Sequence, residues 1–146
     1  MPSFSMEHTV LWGESDPFGL VYYPRMLEWI NDAEHAFWRE AGHPVEKTMV
    51  RERSAFVMGE VQLRFTGPAA CGHRVRISLS VAKLGERTLA WDCRAENLTT
   101  GGPVNEGRAT RVYAHLADDG ALRSEPIPAP LRAALDALRH AAPAAP

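Results

Sequence analysis

The sequence predicts an α+β domain in which one long helix packs against an antiparallel sheet. Residues 24–41 repeat their apolar positions every three or four residues, the period of a helix with one buried face. Between residues 55 and 116 the pattern changes to alternation, interrupted at short intervals by turn residues. A helix followed by consecutive strands is typical of the α+β class. A chain of 146 residues builds one core, so we expect a single domain over residues 1–146.

The first elements have clear local signals. β-branched and aromatic residues from Met6 to Trp12 predict a first strand, which Gly13 ends. The helix predicted from Pro24 to Ala41 stops where Gly42 and Pro44 follow. Its apolar face consists of Met26, Leu27, Ile30, Ala33, Phe37 and Trp38. The segment that follows, up to residue 54, has no clear period and is interpreted as a connection.

Alternating segments complete the sheet. They predict four strands, at residues 55–65, 75–81, 89–95 and 107–116. A break at Gly59 predicts a bulge or bend in the first of these. The turn at Leu84–Arg87 makes its two flanking strands antiparallel neighbours. After another turn, Leu131–His140 predicts a short helix near the end of the chain. The five strands must wrap the long helix to hide its large aromatic side chains, Trp29, Phe37 and Trp38.

Composition excludes several classes of function. The formal net charge of −2 gives no electrostatic reason to expect nucleic acid as a partner. The two Cys and six His residues lack metal-binding spacings, so we expect neither a metal nor any other cofactor. The N-terminus has no basic start followed by an apolar run, and no stretch of eighteen apolar residues occurs. We therefore expect no membrane association and a cytoplasmic location.

An acidic turn at the start of the long helix is the most informative local feature. Asp16 begins the run Asp-Pro-Phe-Gly, whose Pro17 and Gly19 are typical of a tight bend. The bend places the carboxylate near the positive end of the helix, where backbone N–H groups are unpaired. From the residues alone, Asp16 either stabilises the turn or performs chemistry. Both interpretations stay open at this point.

The segment WGESDPFGLVYYPRMLEWIN, residues 12–31, resembles the 4-hydroxybenzoyl-CoA thioesterase family of hotdog-fold enzymes. The family motif of Asp, Pro or Thr, a small residue, Gly, two aliphatic residues and Tyr matches Asp16 to Tyr23. The resemblance covers about residues 6–117 and leaves 118–146 as a C-terminal extension. It implies a hotdog fold, a long central helix wrapped by a five-stranded antiparallel sheet. It also implies hydrolysis of an aromatic or short- to medium-chain acyl-CoA to a free acid and CoA.

The resemblance also assigns roles to residues. Asp16 is expected to act as nucleophile or as general base, and the Tyr23 backbone N–H to polarise the thioester carbonyl. Coenzyme A enters only as part of substrate and product. The expected acyl-group contacts are Gly19, Tyr22, Asn31 and Met58, and the expected CoA phosphate contacts are Lys83, Arg87 and Thr88. Arg111 is an alternative phosphate contact, and Glu34 is a rival for the catalytic acid. For Glu14, the alternative is an ordinary charged side chain at the end of a strand.

Two substitutions bear on the acyl group. The enzyme that hydrolyses 4-hydroxybenzoyl-CoA has an acidic residue and a Thr where this chain has Asn31 and Met58. An apolar, adaptable Met in place of a hydroxyl predicts a less polar acyl group. Phe18 replaces the alanine usual in that family and is expected to reshape the pocket. Other interpretations stay open: Asn31 as a bridge within the helix, Met58 as ordinary core, and a hairpin charged only for solubility.

The predicted sheet leaves an edge strand open, and pairing with a second copy is the usual remedy. A homodimer is therefore the minimum expectation. In the resembling family the active site lies at the dimer interface, and pairs of dimers form tetramers. Two further functions stay open: an enzyme acting on acyl carrier protein or a dehydratase using His35, and a non-catalytic acyl-CoA binder.

Overall fold

The structure, a computed structural model, describes residues 1–142 apart from the side chain of Met49. The strands are β1 (Phe4–Thr9), β2 (Ser54–Phe65), β3 (Arg74–Leu84), β4 (Thr88–Asn97), β5 (Pro103–Leu116) and β6 (Leu122–Ser124). The helices are α1 (Pro24–Glu40), α2 (Val45–Glu52) and α3 (Ala129–Arg139), and a 3-10 turn spans Trp12–Glu14. Residues 143–146, the end of the predicted C-terminal extension, lie outside the described residues.

The strands form one antiparallel sheet in the order β1-β3-β4-β5-β2, with β6 paired to the end of β5. Helix α1 packs its apolar face onto this sheet, as the helical period predicts, except that Leu27 is 40% exposed. Trp29, Phe37 and Trp38 are buried, with 2%, 6% and 2% of their surface exposed. Alternate residues of β3, among them Val75, Ile77 and Leu79, supply the opposing core surface. The predicted α+β architecture is confirmed.

Two elements were not predicted. Helix α2 falls in the segment interpreted as a connection, where Pro44 accepts hydrogen bonds from the N–H groups of Lys47 and Thr48 at 3.1 and 3.2 Å. Strand β6 adds a sixth, three-residue strand to the expected five. Both are too short to show a period of their own. Strand β6 forms because β5 supplies its hydrogen-bond partners.

The first strand differs from its predicted bounds. It begins at Phe4 and ends at Thr9, whereas the prediction extended it to Trp12. The 3-10 turn takes its last predicted residue, and Trp12 is 80% exposed. An aromatic residue favours a strand only where neighbours cover it, so its propensity is misleading here.

The break at Gly59 is confirmed as a β-bulge. The β2–β5 register shifts between Met58 and Glu60, which leaves Gly59 unpaired. A Cβ atom at Gly59 would lie 3.3 Å from the Thr110 carbonyl oxygen, so a larger residue there would crowd β5. The bulge therefore changes the direction of side chains along β2 at Met58.

The C-terminal extension closes over one end of the sheet. Leu135 of α3 is completely buried, and Arg132 donates hydrogen bonds to the carbonyl oxygens of Gly85 and Glu86 at 2.6 and 3.2 Å. The Ile127 N–H also donates to the Glu86 carbonyl, at 2.9 Å. These contacts fix the β3–β4 hairpin. In the described part of the chain, no helix combines the length and hydrophobicity that a membrane crossing requires.

Candidate active site

The loop at Asp16 is a closed turn. The Asp16 N–H donates to the Leu20 carbonyl at 2.7 Å, and the Gly19 N–H donates to the Asp16 carbonyl at 2.9 Å. Gly19 has a φ of 78°, a left-handed conformation that glycine adopts without strain. A β-bridge between Ser15 and Val21 closes the base of the loop. The tight bend predicted from Pro17 and Gly19 is therefore present.

The Asp16 carboxylate has one oxygen occupied by the turn. Its Oδ1 atom accepts hydrogen bonds from the backbone N–H groups of Phe18 at 2.9 Å and Leu20 at 3.2 Å. Within residues 1–142, Oδ2 accepts no hydrogen bond. The side chain is only half-buried. The turn-forming role and an available second oxygen occur together, so the two interpretations of Asp16 are compatible.

The start of α1 presents a free donor. Pro24 occupies the first helical position and has no N–H group. The Arg25 N–H donates to the Tyr22 carbonyl at 2.9 Å, and the Met26 N–H donates to the Tyr23 carbonyl at 3.1 Å. No acceptor in the described residues takes a hydrogen bond from the Tyr23 N–H. This donor lies at the positive end of a seventeen-residue helix and is suited to an oxyanion.

Glu14 is an anchor rather than an ordinary strand-end charge. Its side chain is 12% exposed and accepts three hydrogen bonds, from His8 Nε2 at 2.6 Å, the Leu11 N–H at 2.8 Å and Trp29 Nε1 at 2.7 Å. Burial raises the pKa of Glu14, but the hydrogen bonds from Leu11, Trp29 and His8 together outweigh burial and leave the pKa below its ordinary value. Glu14 is therefore ionised at neutral pH.

A buried ion pair lies farther along α1. Arg111 of β5 donates through Nε to Glu34 Oε2 at 3.0 Å and through Nη2 to Asn31 Oδ1 at 3.1 Å. The Glu34 and Arg111 side chains are 3% and 7% exposed. Burial raises the pKa of Glu34 and Arg111 opposes it, with burial the larger influence. Arg111 is therefore buried and bonded to Glu34 and Asn31, and it does not lie on a surface open to CoA phosphates.

The other predicted contacts lie at the opposite end of the sheet. Lys83, Arg87 and Thr88 sit together and exposed on the β3–β4 hairpin. The Arg87 guanidinium already donates to the Ser124 carbonyl at 2.7 Å. Met58 is 43% exposed, so it is not the ordinary core residue of the alternative interpretation, and it pairs in register with Arg111.

One chain does not bring all these residues together. The Tyr23 ring packs against Phe65 with ring centres 5.8 Å apart, and Phe65 pairs in register with Asn105. Arg111 lies six residues farther along β5, about 20 Å at the rise of an antiparallel strand. The hairpin lies beyond it, since Leu89 and Thr88 pair with Arg111 and Val112. The loop that contains Asp16 and Tyr23 is therefore far from Met58 and the hairpin within one protomer.

A small cavity of about 60 Å³ lies between α1, α2 and the first residues of β2. Its polar lining residues are Glu34, His35, Trp38, His43, Thr48, Ser54 and Tyr113. Glu34 forms part of its lining, and no residue of the Asp16 loop does. A wider depression of about 720 Å³ covers the outer face of the sheet, among charged side chains. Across residues 1–142, no three His, Cys, Asp or Glu side chains are grouped so that they could hold a metal ion.

Comparisons with known proteins decide the family. The family model of the thioesterase-like superfamily matches residues 10–135, most of the chain. The chain belongs to the thioesterase-like superfamily. It is an enzyme of the thioester hydrolase class, and its helix-on-sheet architecture is the hotdog fold. No curated protein sequence matches the chain.

Three solved structures illustrate the likeness. The 1,4-dihydroxy-2-naphthoyl-CoA thioesterase from Synechocystis is 19% identical, with a TM-score of 0.84 over 95% of this chain and 99% of that one. The 4-hydroxybenzoyl-CoA thioesterase from Pseudomonas sp. strain CBS-3 is 21% identical, with a TM-score of 0.82 over 92% and 99%. A gentisyl-coenzyme A thioesterase is 25% identical, with a TM-score of 0.79 over 90% and 98%.

Sequence reasoning missed the anchoring roles of Glu14 and of the pair between Glu34 and Arg111. The only local signal for Glu14 was its position two residues before Asp16 in the motif. Trp29 follows Glu14 by fifteen residues, and Arg111 follows Glu34 by seventy-seven. Such partners meet only after the sheet and helix have packed, so no spacing rule reveals them.

Proposed function

We propose that the protein is an acyl-CoA thioesterase that hydrolyses an aromatic or short- to medium-chain acyl-CoA to the free acid and CoA. The observation that carries the proposal is the free Tyr23 N–H at the start of α1, next to a loop that leaves Asp16 Oδ2 unoccupied. The aromatic CoA thioesters named for the three similar enzymes support the substrate class.

In this mechanism the thioester oxygen accepts a hydrogen bond from the Tyr23 N–H. The positive end of α1 stabilises the negative charge that develops on that oxygen. Asp16 then acts in one of two ways. As a nucleophile, Oδ2 bonds to the acyl carbon, the carbon–sulfur bond breaks, CoA leaves as the thiolate, and water hydrolyses the mixed anhydride. As a base, Asp16 takes a proton from water, the resulting hydroxide adds to the carbonyl, and the adduct collapses to acid and thiolate.

Glycine at position 19 supports close approach of the substrate. Its conformation has a positive φ, and no atom lies within 4 Å of a Cβ added there, apart from its own neighbours in the chain. We assign Gly19 and Tyr22 to the acyl-group site beside Asp16. Tyr22 is half-exposed and its ring packs against Tyr23, with ring centres 5.6 Å apart.

A homodimer is the second part of the proposal, because one chain leaves the predicted site divided. Strand β2 is an edge of the sheet, twelve residues long. Antiparallel pairing of two β2 strands about a two-fold axis places the Phe65 end of one strand beside the Met58 end of the other. Met58 of the partner subunit would then lie near Tyr23. Pairing of two such dimers would give the homotetramer that is the alternative.

The same pairing brings the remaining assigned residues toward one site. Asn31 offers its amide NH₂ to the acyl group, because Arg111 occupies its oxygen. Lys83, Arg87 and Thr88 approach the Asp16 loop from the partner subunit and are assigned to the CoA phosphates. Arg87 keeps donors available beyond the bond to Ser124, since a guanidinium carries five N–H groups.

The test is release of free thiol from a panel of aromatic and aliphatic acyl-CoA thioesters. Asp16→Asn preserves size and most hydrogen bonding while removing the charge, and we expect it to lower kcat by about 100- to 10,000-fold. Asp32→Asn is the matched control, the same change at an exposed position on α1. Turnover of Asp16→Asn close to that of Asp32→Asn would exclude Asp16 from the mechanism. No thiol release by the unmodified protein would favour an acyl carrier protein substrate or a binding role.

A further inference from the structure

Glu14 joins three elements that surround the Asp16 loop. Its carboxylate holds β1 through His8 Nε2 at 2.6 Å, the capping residue of the 3-10 turn through the Leu11 N–H at 2.8 Å, and α1 through Trp29 Nε1 at 2.7 Å. An ionised carboxylate only accepts hydrogen bonds, so all three partners are donors. No other described carboxylate accepts hydrogen bonds from three different residues.

The main chain of Glu14 holds the other side of the same loop. Its carbonyl oxygen accepts a hydrogen bond from the Tyr22 N–H at 2.7 Å. The β-bridge between Ser15 and Val21 lies directly above this bond. Glu14 therefore fixes both the segment that leads into the loop and the segment that leaves it. Tyr23, with its free N–H, is the next residue after Tyr22.

We propose that Glu14 is a positioning residue for the thioesterase reaction. It holds the Asp16 carboxylate at a fixed position relative to the Tyr23 N–H. The inference rests on the proposed function of those two groups. Asp16 belongs to the loop and the Tyr23 N–H to the start of α1, so their relative position depends on what joins the loop to the helix. Glu14 does so twice, through its side chain to Trp29 and through its main chain to Tyr22.

The geometry requires a carboxylate at this position. Oε1 accepts from both His8 and Leu11, and Oε2 accepts from Trp29. A glutamine has one acceptor oxygen and places an NH₂ group where the other oxygen was. The NH₂ group would face either the Trp29 indole N–H or the other two donors. In both arrangements two hydrogen-bond donors face each other, and a hydrogen bond is lost. Glu14→Gln therefore releases at least one of the three elements while it preserves the size of the side chain.

The experiment measures kcat and KM for acyl-CoA hydrolysis by Glu14→Gln and Glu14→Asp, and by both changes in an Asp16→Asn background. Since a misplacement of about 1 Å costs about 100-fold, we expect Glu14→Gln to lower kcat by about that factor. KM should stay within about threefold, because Glu14 does not contact the substrate in this assignment. Glu14→Asp keeps the charge and should recover part of the loss. In the Asp16→Asn background, the additional loss should shrink to less than about tenfold.

Leu135→Val is the control for general loss of stability. Leu135 is completely buried in α3, and this helix binds the β3–β4 hairpin, at the other end of the sheet from the Asp16 loop. It loses one methylene, so it should lower the Tm without changing kcat below the unfolding range. Each variant is assayed at the same number of degrees below its own Tm. The proposal would be overturned if Glu14→Gln then lost no more kcat than Leu135→Val. A full, additive loss in the Asp16→Asn background would also overturn it.

A second readout does not depend on activity. We expect amide hydrogen exchange at Tyr22 to become at least about tenfold faster in Glu14→Gln than in Leu135→Val, because local opening of the loop becomes easier. Unchanged exchange at Tyr22 would overturn the positioning role even if kcat falls. Failure of the proposed function has a different signature, in which Asp16→Asn keeps its activity or the unmodified protein has none while Tyr22 exchange still responds to Glu14→Gln.

Discussion

The ion pair between Glu34 and Arg111 illustrates how burial controls charge at a single residue. Burial raises the pKa of Glu34, although Arg111 at 3.0 Å opposes the rise. A carboxyl group whose folded-state pKa exceeds its unfolded value stabilises the fold below the unfolded pKa, and this contribution is lost as the pH rises through the folded pKa. The pKa of Glu14 is shifted in the opposite direction. Its lowered pKa stabilises the fold at pH values above the unfolded pKa, and this contribution is lost as the pH falls through the folded-state pKa.

Removal of Arg111 should make this dependence measurable. Arg111→Met leaves Glu34 buried without a partner, and we expect a loss of about 3–5 kcal/mol of unfolding free energy when Glu34 is ionised. Without the cation the pKa of Glu34 rises further, so Glu34 can take up a proton. The loss should therefore be smaller near about pH 5 than near about pH 8, by the linkage between protonation and stability. Urea unfolding at the two pH values gives both numbers.

Arg108→Met is the matched control. Arg108 pairs with Asp92 at 2.9 Å, but both side chains are about half exposed. Exposed pairs of this kind contribute little to stability, so Arg108→Met should lose much less than Arg111→Met. An equal loss for Arg111→Met at both pH values would show that Glu34 does not change its protonation state between them, contrary to this prediction.

At the scale of elements, the helices and strands that could be predicted from the sequence are the long ones with a clear hydrophobic period. The seventeen-residue α1 completes more than four turns, so its apolar stripe identified it within one residue of its observed end. Strands β3 and β4 are eleven and ten residues long, and the alternation at residues 75–81 and 89–95 identified them. Helix α2 and strand β6 were missed because eight and three residues are too few to show a clear period. The candidate site divides in the same way: the motif indicates Asp16 and Tyr23, while the partners of Glu14 and Glu34 are distant in the chain.

Close contact between β2 and β5 provides a prediction at the element scale. A Cβ at Gly107 would lie 1.9 Å from the Gln62 carbonyl oxygen, so Gly107→Ala must push the two strands apart. We expect a loss of about 1–3 kcal/mol, as for other overpacked sites, measured by urea unfolding. Gly13→Ala is the control, because no atom outside its immediate chain neighbours lies within 4 Å of a Cβ added there. Equal stability of the two variants would mean that β2 moves away from β5 at no cost.

At the scale of the whole molecule, one protomer separates the groups that the proposed function assigns to the site. Asp16 and Tyr23 lie at the end of the sheet where Phe65 and Asn105 pair, and Met58 and the β3–β4 hairpin lie toward the other end. An antiparallel contact between two copies of β2 reverses one protomer relative to the other. In the proposed dimer, each end of one protomer would meet the opposite end of its partner, and two equivalent sites would form.

Mixed dimers test this arrangement directly. Asp16→Asn removes the acid, and Met58→Arg places a charge in the proposed acyl-group site, so each variant alone should be inactive. When the two are unfolded together and refolded, half of the dimers should combine one chain of each kind. If Asp16 and Met58 of the partner subunit share a site, each mixed dimer has one site with both changes and one with neither. Thiol release should then recover to about a quarter of the unmodified activity, since a quarter of all sites are intact. If both residues act within one chain, every site retains one defect and no activity returns.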